Sequence, residues 1–213
     1  MMNKEAVQSL ALVCQQFPQM IEQVNFMRNG IRDSEMGTLI AAFAELEKFT
    51  SLIIKHNDFL FKSWNSIQPI LSRTMGNNLE ELRLVSCRTS PQVMDSLLAH
   101  VAENCTLNKL GLVEAQLTNT HVEKLRNLIQ RGRLLRELDI SWNALGVRAM
   151  LDITKELAQN RTLTSVNLSW NYLTISQKGN KMLLGDPEFA QMVKDINGEP
   201  EVVPSRQSTA QTD

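Results

Sequence analysis

Hydrophobic positions along most of this chain follow a pattern that returns with a nearly fixed period. The pattern is Leu-x-x-Leu-x-Leu-x-x-Asn-x-Leu, in which other apolar residues can replace leucine. Six copies align, with spacings of 28, 30, 28, 28 and 28 residues between their first positions. These first positions are Ile21, Phe49, Leu79, Leu107, Leu135 and Leu163. Such a period predicts an array of similar units and not one irregular domain.

Each copy contains a Leu-x-Leu pair, which predicts a short β-strand. The pair is Val24 and Phe26 in the first copy, and Val166 and Leu168 in the last. Side chains alternate between the two faces of a strand, so this pair faces a core while its neighbours face outward. Because a single unit cannot bury its apolar face alone, the six strands are expected to pair side by side in one parallel sheet.

Two adjacent positions follow each strand. The first, which we call the rim slot, holds Arg28, His56, Ser86, Glu114, Trp142 and Trp170. The second, the turn slot, holds Asn29, Asn57, Cys87, Ala115, Asn143 and Asn171. An asparagine amide there can bond backbone groups that the turn leaves unpaired, and cysteine can act as a weak donor. Ala115 can do neither, so the fourth turn is predicted to need another partner.

The second half of each copy changes to a period of about 3.6 residues, which predicts a helix. Its apolar anchors are four residues apart and therefore share one helix face. The anchors are Leu39 and Phe43, Ile67 and Leu71, Leu97 and Val101, Leu125 and Ile129, and Ile153 and Leu157. Gly76, Asn104, Gly132 and Asn160 follow four of these helices and are expected to end them in the left-handed conformation.

The combined pattern resembles the leucine-rich-repeat family. The specific resemblance is to the 28-residue helical subtype found in the ribonuclease inhibitor, in the GTPase-activating proteins that act on Ran, and in immune-receptor sensor domains. It covers roughly residues 20 to 173. The resemblance implies an α/β solenoid with a parallel sheet on the concave face and helices on the convex face. It predicts an architecture and leaves the activity open.

Both ends of the chain depart from the repeat. Residues 1–19 are predicted to hold a capping helix, residues 20–175 six repeats, residues 176–197 a C-terminal cap, and residues 198–213 a disordered tail. The capping helix is expected because exposed ends of a repeat array need covering. Its apolar residues at helical spacing, which are expected to face the first repeat, are Val7, Leu10, Val13, Cys14 and Phe17.

Composition narrows the class of protein. The chain has 22 basic and 23 acidic side chains, so it has no strong field to attract nucleic acid or anionic lipid, and neither is expected as a partner. Its three cysteines form no CxxC pair, which fits a reducing compartment. The sequence also lacks an export signal and a long apolar run, so an intracellular protein that does not span a membrane is expected.

The candidate chemistry is sparse. His56, His100 and His121 accompany no nucleophile or carboxylate at a characteristic spacing, and no glycine-rich phosphate loop occurs. We therefore expect no enzymatic activity, no cofactor, no metal site and no small-molecule substrate.

Two alternatives follow from the resemblance. Relatives that act on Ran place an arginine near the rim of the sheet, and Arg28, Arg32, Arg83 and Arg88 are the corresponding candidates here. Those relatives are longer and end in an acidic segment, which this chain lacks. The second alternative is a sensor or adaptor domain that acts with a separate effector chain.

The favoured interpretation is a non-catalytic protein-interaction module or structural subunit of a larger cytoplasmic assembly, with cytoskeletal and ciliary machines as family-level candidates. Binding is expected on the open face, which runs from Gln23, Asn25 and Met27 of the first strand to Ser165, Asn167 and Ser169 of the last, and on the adjacent rim. The candidate partner-binding residues are Trp142, Trp170, Asp139, Glu114, Arg83, Lys55, His56 and Arg28.

Trp142 and Trp170 occupy the rim slots of adjacent repeats, so they are predicted to lie side by side. Their rings could form an anchor for a partner, or they could simply cover the end of the repeat core. A separate weak motif lies in the tail, where Gln211 and Thr212 resemble the short Gln-Thr motifs that add a strand to the dynein light chain. Ala210 stands where that motif usually has threonine.

Overall fold

The computed structural model describes residues 2–72, 79–104, 106–171 and 182–183. These residues form an α/β solenoid in which strands and helices alternate, and the strands lie in one sheet in chain order. The first six strands are β1 Gln23–Met27, β2 Ser51–Lys55, β3 Glu81–Val85, β4 Lys109–Val113, β5 Glu137–Asp139 and β6 Ser165–Asn167. All six pair in parallel, which confirms the predicted fold class.

The register of the sheet follows the repeat. Val24 lies beside Leu52, and the same position continues through the sheet to Val166 in β6. A seventh strand, β7 (Met182–Leu183), pairs with β6 in the antiparallel sense, which the sequence analysis did not predict. Parallel strands need a long crossover, usually a helix, whereas an antiparallel strand does not. The loss of helix anchors after the sixth motif is the sequence signal for this change.

The helices are α1 Lys4–Gln16, α2 Asp33–Phe43, α3 Phe61–Leu71, α4 Pro91–Asn104, α5 Val122–Arg131 and α6 Val147–Gln159, with one turn of 3₁₀ helix at Asn119–His121. The ten predicted anchors on α2 to α6 are all buried. Together with alternate strand residues they form one continuous hydrophobic core between the helices and the sheet.

The capping helix α1 is present, but its predicted apolar face is only partly correct. Val7 and Cys14 are buried against the core, whereas Val13 and Phe17 are 43% and 49% exposed. The reason is that α1 packs on α2, while no described strand lies outside β1. Val13 and Phe17, at the C-terminal end of α1, are therefore covered on one side only.

The predicted helix stops work by a different mechanism. Gly132 and Asn160 have φ values of −67° and −69°, so neither is left-handed. Instead, Asn160 Oδ1 accepts the Leu163 N–H at 2.7 Å. A β-carbon at position 132 would lie 2.7 Å from the Leu128 carbonyl oxygen, so this site excludes a side chain by close approach.

Helix starts are tied to the preceding repeat. The Asp33 carboxylate at the start of α2 accepts backbone N–H groups of Leu60, Lys62 and Ser63 at 2.7, 2.8 and 3.0 Å, so it caps α3. Burial alone would raise the pKa of Asp33, but these bonds and the Ser63 hydroxyl lower it. Asn119, three repeats later in the same slot, accepts the N–H of Gly146 before α6.

Candidate functional site

The turn slot is a buried hydrogen-bonding position. The Asn143 side chain accepts the N–H groups of Ala115 and Leu117, both at 3.0 Å. It donates to the carbonyls of Leu112, Ile140 and Ser141 at 2.8, 2.9 and 3.0 Å. The fifth repeat thus supplies the partner that the fourth turn was predicted to need.

Asn57 and Asn171 follow the same rule. Asn57 Oδ1 accepts the Ile31 N–H of the first repeat at 3.0 Å, and Asn171 Oδ1 accepts the Leu145 N–H of the fifth at 3.2 Å. The Cys87 thiol donates to the Ile54 carbonyl at 3.1 Å, so the predicted weak donor is confirmed. Burial raises the pKa of Cys87, which keeps the proton needed for this bond.

The rim slot has a left-handed backbone in every repeat. Its six residues have φ values between 49° and 59°. Residues other than glycine and asparagine rarely adopt this region. Because arginine, histidine, serine, glutamate and tryptophan all adopt it here, the conformation belongs to the repeat and not to any one side chain.

Trp142 and Trp170 form a stacked pair on this rim. Their ring centroids are 4.3 Å apart and their planes differ by 14°, so the prediction that they lie side by side is confirmed. They are 52% and 54% exposed. Neither indole N–H has a hydrogen-bond partner among the described residues. Within the described part of the chain, the pair therefore exposes apolar area and two indole donors.

Two carboxylates lie beside the pair. Glu114 occupies the adjacent rim slot, is exposed, and accepts a hydrogen bond from the Ser86 hydroxyl. Asp139 Oδ1 accepts from the Ser141 N–H and hydroxyl at 3.0 and 2.6 Å, and its Oδ2 accepts from Asn167 at 3.1 Å. The Ser141 side chain is buried, although its position in the repeat predicts that it faces outward on the open face. Within the described residues, neither carboxylate has an ion-pair partner.

Charged side chains in the middle of the open face form ion pairs with one another. Arg83 Nε contacts Glu81 at 2.5 Å, and its Nη2 lies 3.5 Å from Glu137 in β5. To reach β5 the side chain crosses Gly111, where a β-carbon would come within 3.0 Å of Arg83 Cγ. Lys109 also contacts Glu137, at 3.2 Å. Burial would raise the pKa of Glu81, but bonds from Arg83 and Ser51 lower it.

The eight candidate partner-binding residues do not form one cluster. Trp142, Trp170, Asp139 and Glu114 lie together at the C-terminal end of the described sheet, with Arg83 in its centre. Lys55, His56 and Arg28 lie in the first two repeats. Five strand spacings, about 24 Å, separate the rim slots of the first and last repeats. Gln211, Thr212 and the predicted C-terminal cap and tail, apart from β7, lie outside the described residues.

Two of the three histidines have structural contacts. The buried His121 accepts the Thr118 N–H at 3.0 Å. His100 packs edge-on against Trp64 and bonds Ser72. Burial lowers the pKa of His100, and nearby Glu103 opposes this effect.

The described residues contain no group of three histidine, cysteine, aspartate or glutamate side chains placed to hold a metal ion. Over the same part of the chain, no helix has the length and apolar character needed to cross a bilayer.

No protein-family model matches the chain, and a search of curated proteins finds no match. Solved structures do match it. One is the tropomodulin C-terminal domain of Caenorhabditis elegans, at 8% identity over 89% of this chain and 90% of that one, with a TM-score of 0.29. Another is an internalin from Listeria monocytogenes, at 20% identity and a TM-score of 0.43. That match covers 72% of this chain and 43% of the internalin, so the chain spans less than half of the internalin's length.

Proposed function

We propose that this chain is a non-catalytic protein-interaction module or structural subunit of a larger assembly, and that it binds its partner through the rim tryptophans and the adjoining open face. The observation that carries this proposal is the exposed Trp142–Trp170 stack. Tryptophan is enriched among the few residues that dominate interface energies, because a large rigid ring loses much water contact for little conformational entropy.

The alternative role, in which the rings serve only the fold, is less well supported. Four other repeats build the same left-handed rim without tryptophan. Because the fold accepts arginine, histidine, serine or glutamate at this position, it does not require a large indole there, which supports a role outside folding.

The proposal also includes the subtype of leucine-rich repeat. Repeat helices of 10 to 14 residues, joined to a spacing of mostly 28 residues, support the ribonuclease-inhibitor-like subtype. The expected location remains cytoplasmic, with cytoskeletal or ciliary assemblies as the family-level candidates.

The test replaces both rim tryptophans with asparagine, which tolerates the left-handed backbone. Tagged wild type, Trp142→Asn/Trp170→Asn and the control Phe61→Asn are purified from cells that express the protein, and bound proteins are quantified by mass spectrometry. Phe61 is a matched control because it is an exposed aromatic side chain at the start of α3, away from the rim and the open face. We expect the double variant to lose the specific partner by at least about tenfold and the control to retain it. Retention of the partner by a folded double variant would contradict the proposal.

The GTPase-activating alternative depends on a free arginine. Arg83 is engaged by Glu81 and Glu137, and Arg88 by Asp58 at 2.8 Å. This leaves Arg28 and Arg32 without an ion pair among the described residues. A hydrolysis assay with a panel of small GTPases tests this alternative directly, since an interaction module would bind without accelerating turnover. The sensor alternative predicts that the captured partner is an effector chain.

A further inference from the structure

The rim tryptophans and Glu114 together specify the chemistry of a binding group. We propose that Trp142 and Glu114 form a site for an arginine side chain of the partner, with the guanidinium stacked on the open face of the Trp142 indole and paired with the Glu114 carboxylate. This inference rests on the proposed function, because it identifies the partner group that the rim tryptophans receive.

The first argument is the position of the open ring face. Trp170 covers one face of the Trp142 indole, since the rings are stacked at 4.3 Å. Adjacent rim slots follow one another along the sheet, so the opposite face of Trp142 is directed toward the repeat that contains Glu114. Trp142 is 52% exposed, and the Glu114 carboxylate accepts its hydrogen bond from Ser86, in the repeat on the other side of Glu114. In the proposed site, the second face of the Trp142 indole and the Glu114 carboxylate border the same space.

The second argument is charge. Glu81 and Glu137 on the open face are paired with Arg83 and Lys109. Among the described residues, Glu114 and Asp139 have no cationic partner. The unpaired negative charges of the open face and rim are therefore in the repeats next to the tryptophans. Arg28 and Lys55 lie at the opposite end of the sheet. A positively charged partner group is complementary to this end.

The third argument concerns shape. A guanidinium is planar, stacks on aromatic faces, and donates two parallel hydrogen bonds to a carboxylate. Tryptophan is the best aromatic partner for a cation. A lysine ammonium could pair with Glu114 but could not stack on the ring as a plane. An apolar side chain could cover the ring but would leave the charge of the carboxylate uncompensated.

The experiment uses the full chain and three short peptides, acetyl-Gly-X-Gly-amide, in which X is arginine, lysine or citrulline. Citrulline keeps the planar shape of arginine and removes its charge. Peptides are titrated at low salt while the indole N–H signals of the three tryptophans are followed by NMR. We expect millimolar binding of the arginine peptide, with the largest shift at Trp142 and none at the buried Trp64. Affinity for the citrulline peptide should be about threefold to fivefold weaker, as an exposed cation–π contact implies.

Variants locate the site. Glu114→Gln should weaken binding of the arginine peptide by a few-fold and reduce its preference over citrulline to the part that the cation–π contact with Trp142 supplies. Trp142→Asn should abolish the Trp170 shift. Glu45→Gln, an exposed carboxylate at the end of α2, is the matched control and should change nothing. A thermal melt of each variant establishes that it is folded, and Glu114→Ser provides a second removal of the carboxylate if Glu114→Gln is not.

Equal affinity for arginine and citrulline, or full arginine affinity in a folded variant without the Glu114 carboxylate, would overturn the arginine site. That failure differs from failure of the proposed function. If the arginine test fails while Trp142→Asn/Trp170→Asn still loses the native partner, the interaction module stands with a different partner group. If the double variant keeps its partner, the rim is not the binding surface, whatever the peptides do.

Discussion

The rim slot and the turn slot are consecutive residues, and they have opposite properties. Asn143 is 8% exposed and forms five hydrogen bonds across two repeats. Trp142, directly before it, is 52% exposed, and its side chain forms no hydrogen bond with a described residue. The repeat fixes the backbone at both positions but fixes the side chain at only one of them.

The left-handed rim backbone explains this division. It directs one side chain outward and the next one inward, so each turn can bond the preceding repeat while its rim residue remains in solvent. Turn slots consequently hold mainly asparagine, whereas rim slots hold five residue types. Chemical variation between repeats is therefore concentrated where a partner can reach it.

The largest effect should come from removing a turn-slot amide. Asn143→Ala leaves two buried N–H groups and three carbonyls without this partner, so we expect a loss of about 3 kcal/mol in the free energy of unfolding. Urea denaturation measures it. Asn171→Ala is the matched variant and should cost less, because that side chain is only half-buried and accepts a single N–H. A loss below about 1 kcal/mol for Asn143→Ala would mean that water replaces the amide.

The contribution of the Asp33 cap to the free energy of unfolding should depend on pH. Asp33→Asn should cost about 1–2 kcal/mol at neutral pH, because an amide has one acceptor oxygen where the carboxylate has two. The folded pKa of Asp33 is lowered, so its stabilisation is complete above its unfolded pKa of about 3.9 and is lost as pH falls through the folded value. The difference between wild type and variant should therefore shrink in acid. A difference that stays constant down to pH 2 would contradict the capping role.

A third variant adds an amide at the turn slot that lacks a polar side chain. Ala115→Asn places an amide beside the third turn, where the buried Thr89 hydroxyl has no partner. We expect a gain of about 1 kcal/mol, measured as a higher melting temperature. A lower melting temperature would show that neighbouring side chains already fill the space.

The smallest effect on stability should come from the rim. Trp142→Asn/Trp170→Asn removes a stacking contact of about 0.5–1.5 kcal/mol and relieves a left-handed cost of similar size at each position. The net change in unfolding free energy should stay within about 1 kcal/mol. Unfolding at room temperature would make the tryptophans structural and would erase the distinction between the two slots.

Much of the fold could be predicted because each apolar position recurs in several repeats. Strands, helix anchors and the adjacency of the two tryptophans all follow from that register. β7 could not be predicted, since the pair Met182–Leu183 carries no pattern. The exposure of Val13 and Phe17 was also missed, because helical spacing shows which residues share a face and not whether another element covers it.

Contacts between repeats were the part of the site that was hardest to predict from the sequence. The Asp33 cap joins groups 27 to 30 residues apart, and the Arg83–Glu137 contact spans 54 positions with only Gly111 to indicate it. The left-handed rim was missed for another reason. Glycine and asparagine are the usual signals of that conformation, and none of the six rim residues is either.

The edge of β1, which no described strand covers, has a consequence for amide hydrogen exchange. The Ser51 N–H bonds the Glu22 carbonyl and the Arg28 N–H bonds the Lys55 carbonyl. By alternation, Val24 and Phe26 also direct their amides toward β2. The amides of Gln23, Asn25 and Met27 then point away from the described sheet. Deuterium should enter these three positions early and the two between them late. The same strand would thus carry fast and slow protons at every second residue, a labelling pattern that a fully paired inner strand such as β3 should not give.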